Sequence, residues 1–115
     1  ENKKENVAIK KETVKENATN RQETKTENTA NRQETKTENK AIINEAKDGT
    51  TEEKKAAAKE VKTNTKETVK ENKGNRRETA KENKMNKREA GKDLRQNNKE
   101  TRQENRQNVK ELKKP

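Results

Sequence analysis

The chain has 115 residues, of which 47% are Asp, Glu, Lys or Arg and only 18% are apolar, with no aromatic residue and a formal net charge of +10. Ten of the apolar residues are Ala, and the other eleven (five Val, three Ile, two Leu and Met85) bury too little surface to offset the ordering entropy of the whole chain, so an ordinary globular core is excluded. The absence of Cys, His, Ser and Tyr removes the usual nucleophiles, bases and zinc ligands, and no apolar run approaches the roughly 18 residues of a membrane span.

A repeat defines the first element. Residues 20–28 and 31–39 both read NRQETKTEN, eleven positions apart. The same period runs outward to both ends: Glu stands at 1, 12, 23, 34, 45, 67, 78, 89, 100 and 111, with Ala56 as the one break. Four residues further along each unit a second acid recurs, except at Gly49. Eleven residues make three turns at about 3.67 residues per turn, close to the α-helical value, so each position of the unit keeps nearly one line along a helix. The spacing predicts a helix over about residues 2–47. With the unit counted from Ile9, its first, fifth and ninth positions form a stripe that includes Asn20, Thr24, Asn28, Asn31, Thr35 and Asn39. The two Glu series border one edge of the stripe, and Lys10, Arg21 and Arg32 border the other. A seam flanked by opposite charges is how coiled-coil helices choose partner and register. Here Asn and Thr take the place of Leu and Ile, so association through the stripe is expected to be register-specific, wet and weak per unit length.

Residues 47–53, KDGTTEE, interrupt the pattern. Gly49 suits the left-handed position beyond a helix end. Thr50 with Glu53 three residues on forms a capping-box pattern, Glu52 and Glu53 favour a helix N-terminus, and Ala56, Ala57 and Ala58 supply high helix propensity. We therefore expect a turn at 48–50 and a second helix over about 51–113.

In the second helix the stripe continues through Thr68, Asn72, Asn75, Thr79 and Asn83, and Lys54, Arg76 and Lys87 continue the basic edge. If the helices fold back as an antiparallel hairpin, positions whose numbers sum to 103 face each other. Ala46 then meets Ala57, Ile42 meets Val61, Ile9 meets Leu94, Thr35 meets Thr68 and Thr24 meets Thr79. Because the rare apolar members fall opposite one another, the all-α hairpin is favoured over its alternative, one continuous rod with a glycine defect costing about 1 kcal/mol. Residues 1–115 read as a single repeat region, with an overhang near Val109 and Leu112 that is expected to seek another chain.

Function is bounded mainly by exclusion. A catalytic carboxylate needs a dry pocket to shift its pKa, and this composition cannot build one. Gly49, Gly74 and Gly91 lie too far apart for a phosphate-cradling loop. No enzyme activity, cofactor, metal or small-molecule substrate is expected. The charge is uneven: residues 1–49 carry 11 basic and 10 acidic side chains, residues 50–115 carry 21 and 12. The basic half has charge for an anionic surface, but Glu interleaves it throughout and aromatic stacking residues are missing, so neither nucleic acid nor membrane is expected as a partner. No charged-then-apolar leader precedes the repeat, and the chain starts at Glu1 rather than Met, as expected of a processed, partial or engineered polypeptide.

The eleven-residue unit resembles the repeats of group 3 late embryogenesis abundant proteins, which place small or apolar residues at the first, second, fifth and ninth positions among Lys and Glu. The match covers about residues 1–114 in period and hydrophilicity. In detail it is closest at Ala41, Ile42, Ile43, Ala46 and residues 53–61, and it departs where Asn fills most first and ninth positions. That resemblance implies a chain unstructured in water that becomes helical on drying and shields other macromolecules. Thr13, Thr24 and Thr35, and again Thr68, Thr79 and Thr101 with Ala90 between the last two, keep an eleven-residue spacing similar to that of α-helical fish antifreeze proteins. This implies ice binding, although Asn and charges flank Thr here where that family has Ala. The leading expectation is a non-enzymatic structural or scaffolding protein that forms a homo-oligomer or fibre through the Asn/Thr stripe.

Overall fold

A computed structural model of the chain describes residues 2–114 and the side chains of residues 3–114; Glu1 and Pro115 lie outside the described residues. The protein is all-α. Helix α1 spans Asn2–Ala46 and helix α2 spans Thr51–Leu112, with no strand among the described residues. Lys, Glu, Arg, Gln and Ala supply strong helix propensity, while the frequent Asn and Thr each withdraw a few tenths of a kcal/mol, roughly, relative to these. Tertiary bonds must compensate, and the Asn and Thr residues themselves provide them.

Between the helices, residues 47–50 form a tight turn. Gly49 N donates to Ala46 O at 3.0 Å, closing the end of α1. Thr50 caps α2: its Oγ1 accepts from Glu53 N at 3.2 Å, and its carbonyl accepts from Lys54 N at 3.0 Å. Gly49 departs from the sequence expectation. No described residue, glycine included, has positive φ, so the left-handed conformation is not what calls for glycine here. Crowding is the reason instead. A Cβ at Gly49 would stand 3.2 Å from the backbone Ala46 O and from Glu53 Cβ, tighter than ordinary van der Waals contact, whereas Glu53 Oε2 at 2.3 Å ends a flexible side chain that can swing aside.

Contacts group the chain into two units. One is the contiguous stretch Arg21–Ala80, which holds the second part of α1, the turn and the first part of α2. Within it the helices run antiparallel, with Thr35 bonded to Thr68 and Thr24 to Thr79. The other unit joins the part of α1 up to Asn20 with the part of α2 from Lys81 onward, and there Asn20 bonds Asn83 and Asn17 bonds Asn86. In both units these bonded residues have numbers that sum to 103.

Burial inverts the usual order. Among the described residues the buried ones are Asn17 (2% exposed), Asn28 (3%), Asn72 (3%), Asn83 (8%) and Ala90 (9%), so four of these five are polar. Val7, Val14, Ile43, Val69, Met85, Val109 and Leu112 are exposed. Residues that are buried or half-buried recur at intervals of three, four and four along both helices, from Asn6 to Ala46 and from Ala57 to Thr101, with Gly91 the one addition within those stretches. This is the period of the repeat, read now from burial. Beyond Thr101 the residues of α2 up to Lys114 are exposed.

Candidate functional site

The stripe becomes an interhelical seam built from two alternating layers. In the first, two asparagines bond reciprocally across the pair. Asn28 Nδ2 donates to the backbone carbonyl of Asn72 at 3.1 Å, and Asn72 Nδ2 donates to that of Asn28 at 3.1 Å. Each carbonyl thereby accepts through its second lone pair in addition to its helical role. Two further asparagines close the cluster: Asn31 Nδ2 donates to Asn72 Oδ1 and Asn75 Nδ2 to Asn28 Oδ1, both at 3.0 Å.

One repeat earlier on α1 and one repeat later on α2, the same four-residue cluster recurs. Asn17 Nδ2 donates to Asn83 O at 3.1 Å and Asn83 Nδ2 to Asn17 O at 3.2 Å. Asn20 Nδ2 donates to Asn83 Oδ1 and Asn86 Nδ2 to Asn17 Oδ1, both at 3.0 Å. Among the described residues no buried side-chain nitrogen or oxygen lacks a partner. That satisfaction is what makes an asparagine interior tolerable, since an unmet buried polar group costs about 1–3 kcal/mol.

The second layer is threonine. Thr24 bonds Thr79, and Thr35 bonds Thr68, through their hydroxyls. Thr68 Oγ1 also donates to Asn64 O at 3.0 Å, so its single hydrogen is committed and Thr35 is the donor in that pair. At equivalent positions Thr13 donates to Ile9 O at 2.8 Å, Ala90 is buried, and Ala46 and Ala57 are half-buried.

Two clusters are incomplete in the same way. Val61 and Leu94 occupy the positions that Asn72 and Asn83 hold elsewhere, and Ile42 and Ile9 those of Asn31 and Asn20. These four apolar residues are half-buried. The remaining asparagines re-pair: Asn64 Nδ2 donates to Asn39 Oδ1 and Asn39 Nδ2 to Thr65 Oγ1, both at 3.3 Å. Similarly, Asn97 Nδ2 donates to Asn6 Oδ1 at 3.1 Å and Asn6 Nδ2 to Asn98 Oδ1 at 3.0 Å.

Every stripe residue named from the sequence therefore lies in the seam of its own unit and bonds across it: Asn20, Thr24, Asn28, Asn31, Thr35, Asn39, Thr68, Asn72, Asn75, Thr79 and Asn83. Asn6, Asn17, Asn86 and Asn97 in one unit and Asn64 in the other also bond across the seams of their own units and were not singled out, though the spacing that marks Asn28 also marks them. The threonines at eleven-residue spacing are half-buried in the seam rather than displayed on an open face.

In the Arg21–Ala80 unit the seam is bordered by two grooves of opposite character. Glu34, Glu38, Glu67 and Glu71 line one, together with Asn31 and Asn64. Arg32, Lys36 and Lys40 line the other with Ile43 and Val69, and it continues past Lys47, Lys54 and Ala58. The antiparallel arrangement causes this sorting. The two-fold relation between antiparallel helices keeps each face on its own side, so the acidic edges of both helices meet on one face, while the other takes Arg32, Lys36 and Lys40 from α1 and, nearer the turn, Lys54 from α2.

Among the described residues no group of three or more acidic residues is placed to hold a metal ion, and no helix is long and apolar enough to cross a membrane. No family model, curated protein or solved structure matches the chain, so its functional reading rests on the geometry of the seam and of the two charged grooves.

Proposed function

We propose that this chain is a non-enzymatic structural or scaffolding element whose Asn/Thr stripe is its adhesive surface, first between its own helices and then, by exchange of helices, between copies. The observation that carries this reading is the reciprocal bonding of Asn28 and Asn72 with Asn31 and Asn75. A cluster in which each helix presents the same groups to the other has the same geometry whether the helices come from one chain or from two. Exchange of an identical element is a low-cost route from hairpin to oligomer. The stripe is repeated, so its adhesion scales with length while each layer stays weak, which suits a spacer or scaffold more than a compact binding module.

Sedimentation velocity with circular dichroism tests the proposal. High helicity in dilute buffer, with a dimer that exchanges labelled copies slowly and persists in salt, is the expected result. A coil in dilute buffer that turns helical only on drying would overturn it and is the behaviour implied by the resemblance to late embryogenesis abundant proteins. A helical monomer at every concentration would retain the hairpin and remove self-association through the stripe.

A further inference from the structure

A solvated helix gains from placing Glu four residues before Lys, and like charges four apart weaken it. This chain does the opposite along one edge. Glu12 and Glu16, Glu23 and Glu27, Glu34 and Glu38, Glu67 and Glu71, and Glu89 and Asp93 are like-charged pairs at that spacing. In the Arg21–Ala80 unit the hairpin compounds the repulsion by bringing Glu34 and Glu38 to the same groove as Glu67 and Glu71. The opposite groove collects Arg32, Lys36 and Lys40 and leaves Ile43 and Val69 exposed, 53% and 60% respectively. Neither face is what a free surface favours, and each is what the other requires.

We propose that the acidic groove of one hairpin docks on the basic, apolar-floored groove of a second copy of the same chain. This rests on the hairpin reading above but uses faces other than the seam. The partner is identified by charge: the surface that neutralises the four glutamates is carried, at the same repeat, on the reverse side of the chain itself. Glutamate methylenes would cover Ile43 and Val69 while the carboxylates meet Arg32, Lys36 and Lys40. Such a contact joins two different faces, so it is heterologous, and unless its rotation closes it propagates as an open stack of hairpins.

Salt and charge reversal test the docking. In sedimentation velocity, wild-type protein at about 10 mM salt is expected to assemble with rising concentration. At about 300 mM salt, where screening falls to a few ångströms, the apparent association constant should drop by about 10- to 1,000-fold. One variant carries Glu34→Lys, Glu38→Lys, Glu67→Lys and Glu71→Lys; a second carries Arg32→Glu, Lys36→Glu and Lys40→Glu. Each alone should lose the salt-sensitive assembly while keeping its helicity by circular dichroism, and an equimolar mixture should recover it by alternation. Salt-independent sedimentation of the wild type overturns the proposal without recourse to any variant. So does a mixture of helical variants that stays unassembled, or a low-salt wild type that remains unassembled until duplex DNA is added, which would assign the basic face to a polyanion. Helix exchange through the carboxamide seam brings Glu34 and Glu38 against Glu67 and Glu71, so added salt strengthens it where salt weakens face docking, and the failure of the one is read separately from that of the other.

Discussion

Asn72→Ala tests the asparagine cluster most directly. The substitution removes the donation to Asn28 O at 3.1 Å and the acceptor for Asn31 Nδ2 at 3.0 Å. It leaves the bond from Asn28 Nδ2 to the backbone carbonyl of residue 72 in place. Two hydrogen bonds at about 0.5–1.5 kcal/mol each put the loss at about 1–3 kcal/mol. Alanine returns about 0.7 kcal/mol through its better helix propensity, for a net destabilisation of about 0.3–2.3 kcal/mol. Asn31→Ala loses the same shared bond and leaves the buried Asn72 Oδ1 without that donor, so even with the same gain in propensity it should cost about 0.3–2.3 kcal/mol. Urea unfolding followed by circular dichroism, on wild type, both single variants and the double variant, yields the coupling between the two sites. We expect about 0.5–1.5 kcal/mol, because the second substitution finds the bond already gone. Asn64→Ala with Asn72→Ala is the control, since Asn64 bonds Asn39 instead. If the Asn31 and Asn72 substitutions are as additive as the control pair, the cluster contributes nothing as a unit and the argument for an adhesive seam fails.

Four further outcomes follow from the same geometry. Thr50→Ala deletes the cap accepting from Glu53 N and should lower stability by about 0.5–2 kcal/mol, with faster amide exchange at Glu53 as its local signature. Gly74→Ala should raise stability by about 0.5–1 kcal/mol in the same unfolding assay, because a Cβ there meets nothing within 4 Å and the residue lies inside α2. Replacing Asn31 and Asn72 together by Asp sets two carboxylates where a 3.0 Å hydrogen bond stood. Their mutual repulsion raises the folded-state pKa of the pair above the unfolded value, so stability is retained below about pH 4 and lost as pH rises through the raised value; unfolding at pH 3 and pH 7 checks the sign. Residues 102–112 of α2, exposed throughout, should exchange their amides far faster than residues 64–83, because only tertiary bonding sustains helices of this composition in water.

The repeat made much of this arrangement legible. A period of eleven fixes which residues share a line, whatever their chemistry, so the seam positions of Asn28, Thr35 and Asn72 follow from spacing alone. The register followed from the exceptions: opposing Ile42 to Val61 also sets Thr35 against Thr68 and Thr24 against Thr79, the pairs that bond in the structure. What spacing does not carry is the direction of a carboxamide. That Asn28 reaches the backbone carbonyl of residue 72, while Asn75 reaches the side chain of Asn28, depends on rotamer and helix separation. The conformation of Gly49 was likewise not legible, because a glycine excluded by crowding and one needed for positive φ look alike in a sequence. The gathering of Glu34, Glu38, Glu67 and Glu71 into one groove required knowing that the helices are antiparallel; each charged band is visible in the sequence, but their meeting is a property of the pair.

A seam of identical repeats raises a difficulty that the turn and the apolar exceptions resolve. The complete asparagine clusters match one another, so sliding one helix by eleven residues would rebuild one of them at new partners: Asn28 and Asn31 with Asn83 and Asn86, or Asn17 and Asn20 with Asn72 and Asn75. Slipped one way, Ile42 would face Asn72 and Val61 would face Glu53; slipped the other way, Val61 would face Asn31 and Ile42 would face Thr50. Either shift strands polar groups against a hydrocarbon, at about 1–3 kcal/mol for each one left unmet. The asparagines therefore set the phase within a repeat; in the hairpin the tight turn at residues 47–50 fixes which repeat, and between exchanged helices Ile42 and Val61 select it. Apolar residues are conventionally the glue of a coiled coil and a buried asparagine its register mark. Here the roles are exchanged: Asn28, Asn72 and their neighbours hold the helices together, and where no turn joins them a few hydrocarbons make the alignment unique.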